Sequence, residues 1–309
     1  MHEKRKRKSL VRLKEYIPVY LMAIPGLVYL IINNYMPMFG LWMAFTKVNF
    51  RKGMFGGDFV GLKNFQFLFA SSDAFVIFRN TIGYGLLFLI IGPITAITVA
   101  IFLNEIRKAG AKKAYQTIIL LPHLISMVVV SYLVYTFLNT NVGILNKVIT
   151  MFGGEPVRWY GEAKYWPFIL PIVHIWKGVG FSSIIYLSTI VGISDDYYEA
   201  AALDGCTRLQ QIRYITLPLL KPTVITLTIM GVGGILHSDF GLFYQVPLNQ
   251  GALIPTTQTL DTYVLRGLME LGNTSMSAAA GFFQSVVGFF MIMTTNAIVK
   301  KVSADDSLF

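Results

Sequence analysis

A helix rises 1.5 Å per residue and a bilayer's hydrocarbon core is about 30 Å thick, so one crossing takes about 20 apolar residues. Six stretches of the chain meet that requirement: Ile17–Phe45, Thr81–Leu103, Gln116–Leu138, Pro167–Gly192, Pro222–Val246 and Ala278–Val299. Lipid offers the backbone no hydrogen-bond partners, so stretches of this kind must close their bonds internally, as helices. The expected fold is therefore an all-α integral membrane bundle of six transmembrane helices. Pro18, Pro25 and Pro37 make the first of them bent or partly interfacial. With no internal repeat and no long linker, residues 1–309 read as one transmembrane domain. It has a basic arm (1–16), a polar connection at 194–222 and a long connection at 247–277.

Charge supplies the orientation. The chain carries 26 Lys+Arg against 16 Asp+Glu, a net charge of +10, within a composition only 14% charged. Such a balance in a soluble protein would suggest a nucleic-acid partner. Here the basic residues cluster beside the apolar stretches, so membrane lipid is the expected partner and nucleic acid is not. The arm, the second and fourth connections and the tail hold 16 Lys and Arg, against nine in the other three connections. That excess places both termini of a multi-pass membrane protein in the cytoplasm. The basic arm and the first apolar stretch also suit a signal peptide. The stretch is too long and lacks a small-residue cleavage site, so it reads as an uncleaved first helix. The single cysteine, Cys206, excludes an intramolecular disulfide and a multi-cysteine metal site.

The fourth connection, Ser194 to Pro222, is built to fold locally. Ser194 or Asp195 can cap a helix, and acidic residues suit its first turn. Glu199, Ala200, Ala201, Ala202 and Leu203 are strong helix formers. Gly205 can adopt the left-handed conformation that ends a helix. A second short helix is expected to run toward Leu217 and to stop or bend at Pro218 and Pro222.

Glu199, Ala200, Ala201, Asp204, Gly205, Ile215, Leu217, Pro218 and Pro222 fall in register with the Glu-Ala-Ala pattern of permease subunits of ATP-binding-cassette (ABC) importers. The segment resembles the coupling (EAA) loop of that family, with Cys206 where alanine is usual and Ile212 where an aromatic is common. Asn104-Glu105-Ile106-Arg107, Leu121-Pro122-His123, Ile175-Trp176-Lys177, His237 to Phe243 and Ser277-Ala278-Ala279-Ala280-Gly281 look like the polysaccharide-type, carbohydrate-uptake permeases. The resemblance implies a type I ABC importer fold moving a sugar or oligosaccharide by alternating access. It implies that 194–222 seats in a cytoplasmic ATPase, with Glu199 facing it and the Gly205 turn setting the docking angle. It also implies a second homologous permease, two ATPase subunits and an extracytoplasmic solute-binding protein. No Gly-Lys dipeptide occurs, so there is no Walker A loop, and ATP with its Mg is expected on the partner ATPases, with no cofactor on this chain.

Ionisable groups inside spans are costly and call for a reason. Lys177 falls within the fourth stretch and Asp239, beside His237 and Ser238, within the fifth. Either the two charges pair and fix two helices together, or they line an aqueous cavity. In related importers the segments flanking the coupling loop line the cavity, which makes Trp176, Lys177, His237, Ser238 and Asp239 the candidate cargo contacts. Gly231, Gly233 and Gly234 either loosen the fifth helix or allow close packing. His123 and His174 read as helix-packing groups. Leu260–Leu271 has helical apolar spacing within the long connection and is expected to pack on the outer face. No His-Glu-x-x-His, Gly-x-Ser-x-Gly or paired-carboxylate arrangement occurs, so neither a catalytic nor a metal site is expected. The competing readings are an ion-coupled secondary transporter using His237 and Asp239, an enzyme acting on lipid-linked sugars, and an ABC permease for a non-sugar solute.

Overall fold

A computed structural model describes residues 2–49, 51, 53, 56–71 and 73–302. Helix α1 runs His2–Leu30 and continues through a π turn at Ile31–Tyr35 into a 3-10 segment at Phe39–Phe45. It therefore starts well before Ile17, because the basic arm is itself made of good helix formers. Pro18 and Pro25 lie inside the helix, and the distortion falls at the π turn just before Pro37. Every residue from Tyr16 to Phe39 is exposed, so this stretch offers an open surface to its surroundings.

A two-stranded hairpin follows, with β1 (Thr46–Lys47) antiparallel to β2 (Asp58–Phe59). The remaining main elements are α2 (Ala74–Glu105), α3 (Ala109–Leu124), α4 (Met127–Leu138), α5 (Ile144–Met151), α6 (Trp166–Val191), α7 (Asp195–Leu203), α8 (Arg208–Gly233), α9 (Leu260–Leu271) and α10 (Thr274–Val302). The part of α1 from Tyr16 on, together with α2, α6, α8 and α10, is long and apolar enough to cross a membrane. Counting the bent pair α3 and α4 as one crossing makes six.

That pair corrects the expectation of a continuous helix over Gln116–Leu138. The chain breaks between Leu124 and Met127 and turns through 96°. Pro122 withholds one helical hydrogen bond, Ile125 and Ser126 are extended, and the Ser126 hydroxyl accepts from Val129 N–H (3.4 Å) to start α4. The fifth stretch also differs. Its helix begins at Arg208 and passes through Pro218 and Pro222 without stopping, because a π turn at Ile212–Thr216 absorbs the register just ahead of Pro218. It ends at Gly233, so residues 237–239 lie beyond the helix rather than inside it.

Two apolar cores sit at opposite ends of α6. One joins Trp166, Leu170 and Val173 to Tyr84, Val130 and Phe243; the other joins Tyr186, Leu187 and Ile190 to Ala96, Ala100 and Leu220. Small residues let the helices close. A Cβ at Gly180 would collide with the Ile119 carbonyl, and one at Gly288 would lie 2.6 Å from the Gly233 carbonyl oxygen. The glycines at the end of α8 therefore include a close-packing site against α10.

Candidate functional site

The 194–222 hairpin is held by three local devices. The Ser194 hydroxyl accepts from Asp196 N–H (3.3 Å) at the start of α7, where Asp195 and Asp196 meet the positive end of the helix dipole. At its other end Cys206 N–H donates to the Ala201 carbonyl (2.9 Å) and Gly205 N–H to the Ala202 carbonyl (3.1 Å). With Gly205 at φ +76° this is a Schellman closure, which needs a residue free of the Cβ penalty. Thr207 then opens α8 with a capping box: its N–H donates to Gln210 Oε1 (2.7 Å) and its hydroxyl accepts from Gln210 N–H (3.4 Å).

Side chains tie this hairpin to the bundle. The Tyr198 and Thr216 hydroxyls are 2.9 Å apart, and Gln211 Nε2 donates to the Tyr198 carbonyl (3.1 Å). Arg208 pairs with Glu105 at the end of α2 (3.1 Å). No residue of α7 is buried; Glu199, Ala200, Asp204, Gly205 and Pro218 are exposed, while Ala201 and Ile215 are half-buried. Leu203 is 90% exposed and Tyr197 59%, two uncovered apolar side chains on a capped helix. Such side chains suit docking into a cleft on another protein.

The cargo candidates do not form one cluster. Lys177 Nζ donates to the carbonyls of Ile125 (2.6 Å), His123 (3.1 Å) and Pro122 (3.3 Å), closing the broken end of α3. Its charge faces the negative end of that helix dipole. No Lys177–Asp239 ion pair exists among the described residues. Asp239 instead accepts from Gly241 N–H (2.7 Å) and Leu242 N–H (3.3 Å), starting the π turn at Gly241–Gln245.

Ser238 and His237 gather around a residue that the sequence reading passed over, Asp261 in the first turn of α9. Asp261 accepts from Ser238 N–H (2.6 Å), the Ser238 hydroxyl (2.9 Å) and Gln284 Nε2 (3.1 Å), and stands 3.9 Å from His237 Nδ1. The neighbouring Asp261 carboxylate holds the His237 imidazole above its usual pKa. Burial pushes Asp261 upward, but the hydrogen bonds it accepts win, and its pKa ends below the ordinary carboxylate value. The signals for this hub were a carboxylate in the first turn of α9 and Gln284 within the last span.

A cleft of about 360 Å³ opens between α2, α6 and α8, lined by Phe88, His174, Tyr186, Thr228, Gly231 and His237 among others. The His174 ring stacks on Phe88 at 3.8 Å, and His123 stacks on Phe181 at 4.6 Å. Trp176 and Lys177 do not line the cleft. Two residues along a helix is about 200° around it, which sets Trp176 on the face opposite His174. Trp176 is 43% exposed there.

Residues 92–304 match the family model described as "Binding-protein-dependent transport system inner membrane component". The chain is 36% identical over 299 residues to the polygalacturonan/rhamnogalacturonan transport system permease protein YteP of Bacillus subtilis (strain 168), covering 97% of this chain and 92% of that protein. Among solved structures, it is similar to a chain of a bacterial ABC transporter involved in the import of the acidic polysaccharide alginate, with TM-score 0.86 and 31% identity over 96% of this chain and 99% of that one. A second structure of a bacterial alginate ABC transporter, in complex with alginate pentasaccharide-bound periplasmic protein, matches with TM-score 0.84 and 32% identity over 94% and 97% of the two chains. The six-crossing fold with its exposed hairpin is thus the type I importer arrangement, and the chain belongs to the family of binding-protein-dependent transport system inner membrane components, the permease subunits of ABC importers.

Proposed function

We propose that the chain forms half of the membrane pathway of an ATP-driven importer for a sugar or oligosaccharide, with both termini in the cytoplasm. The observation that carries this reading is the capped, exposed hairpin with Leu203 and Tyr197 uncovered, at the position of the Glu-Ala-Ala pattern. An ATPase subunit would seat on it, binding ATP and Mg itself. The network from Tyr198, Gln211 and Arg208 to Thr216 and Glu105 would then pass its movement into α8 and α2. A second, homologous permease would complete the pathway, and the bare surface of α1 from Tyr16 to Phe39 supports such a neighbour. An extracytoplasmic binding protein would deliver cargo at the far end.

Relatives of this chain are named for polygalacturonan/rhamnogalacturonan and alginate, so uronate-bearing oligosaccharides are the first cargo to test. His237 and the exposed side of Asp239 are assigned as cargo contacts, whereas Trp176 lies on the face of α6 turned away from the cleft that His237 lines. Ser238 and Lys177, whose polar atoms are already engaged, are assigned to holding the walls.

The test is reconstitution with the partner subunits and a loaded binding protein. Glu199→Lys is expected to abolish ATP-coupled uptake while leaving membrane insertion intact. Normal uptake by that variant would remove the coupling role. Uptake driven by an ion gradient without ATP would favour a secondary transporter instead.

A further inference from the structure

Helix α5 wears its oily side outward. At 100° per residue, Ile144, Leu145, Val148, Met151 and the adjoining Phe152 share an arc of about 120°. They are 46%, 41%, 46%, 84% and 84% exposed. The opposite side carries Asn146, only 3% exposed. Its amide donates to the carbonyls of Thr140 (3.0 Å) and Val157 (2.9 Å), and its oxygen accepts from Val157 N–H (3.1 Å) and Trp159 Nε1–H (3.0 Å). Four hydrogen bonds fix the rotation of the helix, so it cannot roll to bury the stripe. A helix on a soluble protein has the reverse arrangement.

Its height is fixed as well. Helix α4 ends at Leu138, shortly before α5 begins. On the other side, Trp166, the first residue of α6, donates its indole N–H to the Trp159 carbonyl (2.8 Å). Both flanks of α5 are thereby tied to the level where membrane-embedded helices end, at the end of α6 opposite the coupling hairpin. Trp159 and Tyr165, whose rings stand 4.9 Å apart, are of the residue types that favour this level. Lys147 flanks the stripe, and Ile144–Met151 contains no carboxylate, which suits a surface of lipid phosphates.

We propose that α5 is an interfacial anchor, its apolar arc lying at the headgroup–acyl boundary of the leaflet opposite the coupling hairpin. It holds the end of α4, and through it the 96° bend, at constant depth while the other spans move. The inference goes beyond the cargo reading and does not depend on it.

The test uses the assembled importer in phospholipid vesicles, in a Cys206→Ser background, with a bimane probe at Met151→Cys or, on the exposed side away from the arc, Thr150→Cys. Phospholipids carrying a nitroxide near the headgroup should quench the Met151 probe at least about twofold more than the Thr150 probe, as a buried apolar face requires. Aqueous iodide should show the opposite preference. A probe at Val148→Cys reports the same arc and guards against a defect peculiar to position 151. Iodide access equal at both faces would overturn the proposal, because the stripe would then face water. Protection of Met151 from both quenchers would also overturn it, because a protein would then cover the stripe.

Discussion

Replacing Lys177 with methionine tests the bend between α3 and α4. Three hydrogen bonds from the ammonium vanish, and the His123 and Ile125 carbonyls must find other donors. Leaving a buried carbonyl unpaired costs about 1–3 kcal/mol, or about 2–6 kcal/mol for two. Removing an ammonium from a span returns about 2.5–3.5 kcal/mol. Loss of the bonds wins on balance, by roughly 1 kcal/mol at the middle of these ranges, which shifts the ratio of bent to extended forms about fivefold. The readout is the distance between spin labels at Tyr115→Cys and Phe137→Cys, both exposed positions, in a Cys206→Ser background. From 1.5 Å per residue and the 96° turn, the separation should be about 22 Å bent and about 33 Å straight. Native Lys177 should give a narrow distribution near the shorter value. Lys177→Met should broaden it toward the longer one and lower cargo-stimulated ATPase activity, and Lys177→Arg should restore much of both. An unchanged distribution in Lys177→Met would refute the clamp.

Other predictions follow from the same geometry. Gly205→Ala should cost the hairpin about 1 kcal/mol, purely from the left-handed backbone because nothing lies within 4 Å of the added Cβ; a thermal-shift assay and coupled ATPase rate would show it. Gly180→Ala should destabilise the bundle far more, since the methyl meets the Ile119 carbonyl, and size-exclusion of the complex would reveal the loss. The His237–Asp261 pair sets a pH window. The raised His237 pKa means its contribution is complete below about 6.5 and fades as pH rises through the higher folded value. The lowered Asp261 pKa means its contribution holds above the ordinary carboxylate value of 3.8 and fades as pH falls through the folded value. Melting temperature should therefore decline on the alkaline side in the native chain and lose that decline in His237→Phe. Glu105→Gln should shift melting by little, corresponding to about 0–1 kcal/mol, because the Arg208 partner is 63% exposed.

The 194–222 hairpin was legible because its determinants are local: a serine cap, an alanine-rich run and a glycine within a dozen positions specify α7 and its end. The number of crossings was legible for the same reason, as apolar length is a property of the segment alone. The bend in the third crossing was not. Pro122 hints at it, but the carbonyls freed there are bonded by Lys177, more than fifty residues along, and that juxtaposition is tertiary. The end of α8 was misplaced because apolar composition continues past Gly234 although the helix does not. Asp261 was missed because its importance lies in who meets it: His237 and Ser238 come from the segment after α8, and Gln284 from α10. Lys177 and Asp239, read as a candidate pair, each found backbone partners nearer to hand.

The first helix carries a different consequence. With every side chain from Tyr16 to Phe39 uncovered, this segment lends the bundle no cohesion. Deleting it should leave the melting of the isolated remainder nearly untouched, while the multi-subunit particle loses whatever grip that helix supplies. Its surface answers to its neighbours alone, and so it is where this chain can change companions without relearning how to fold.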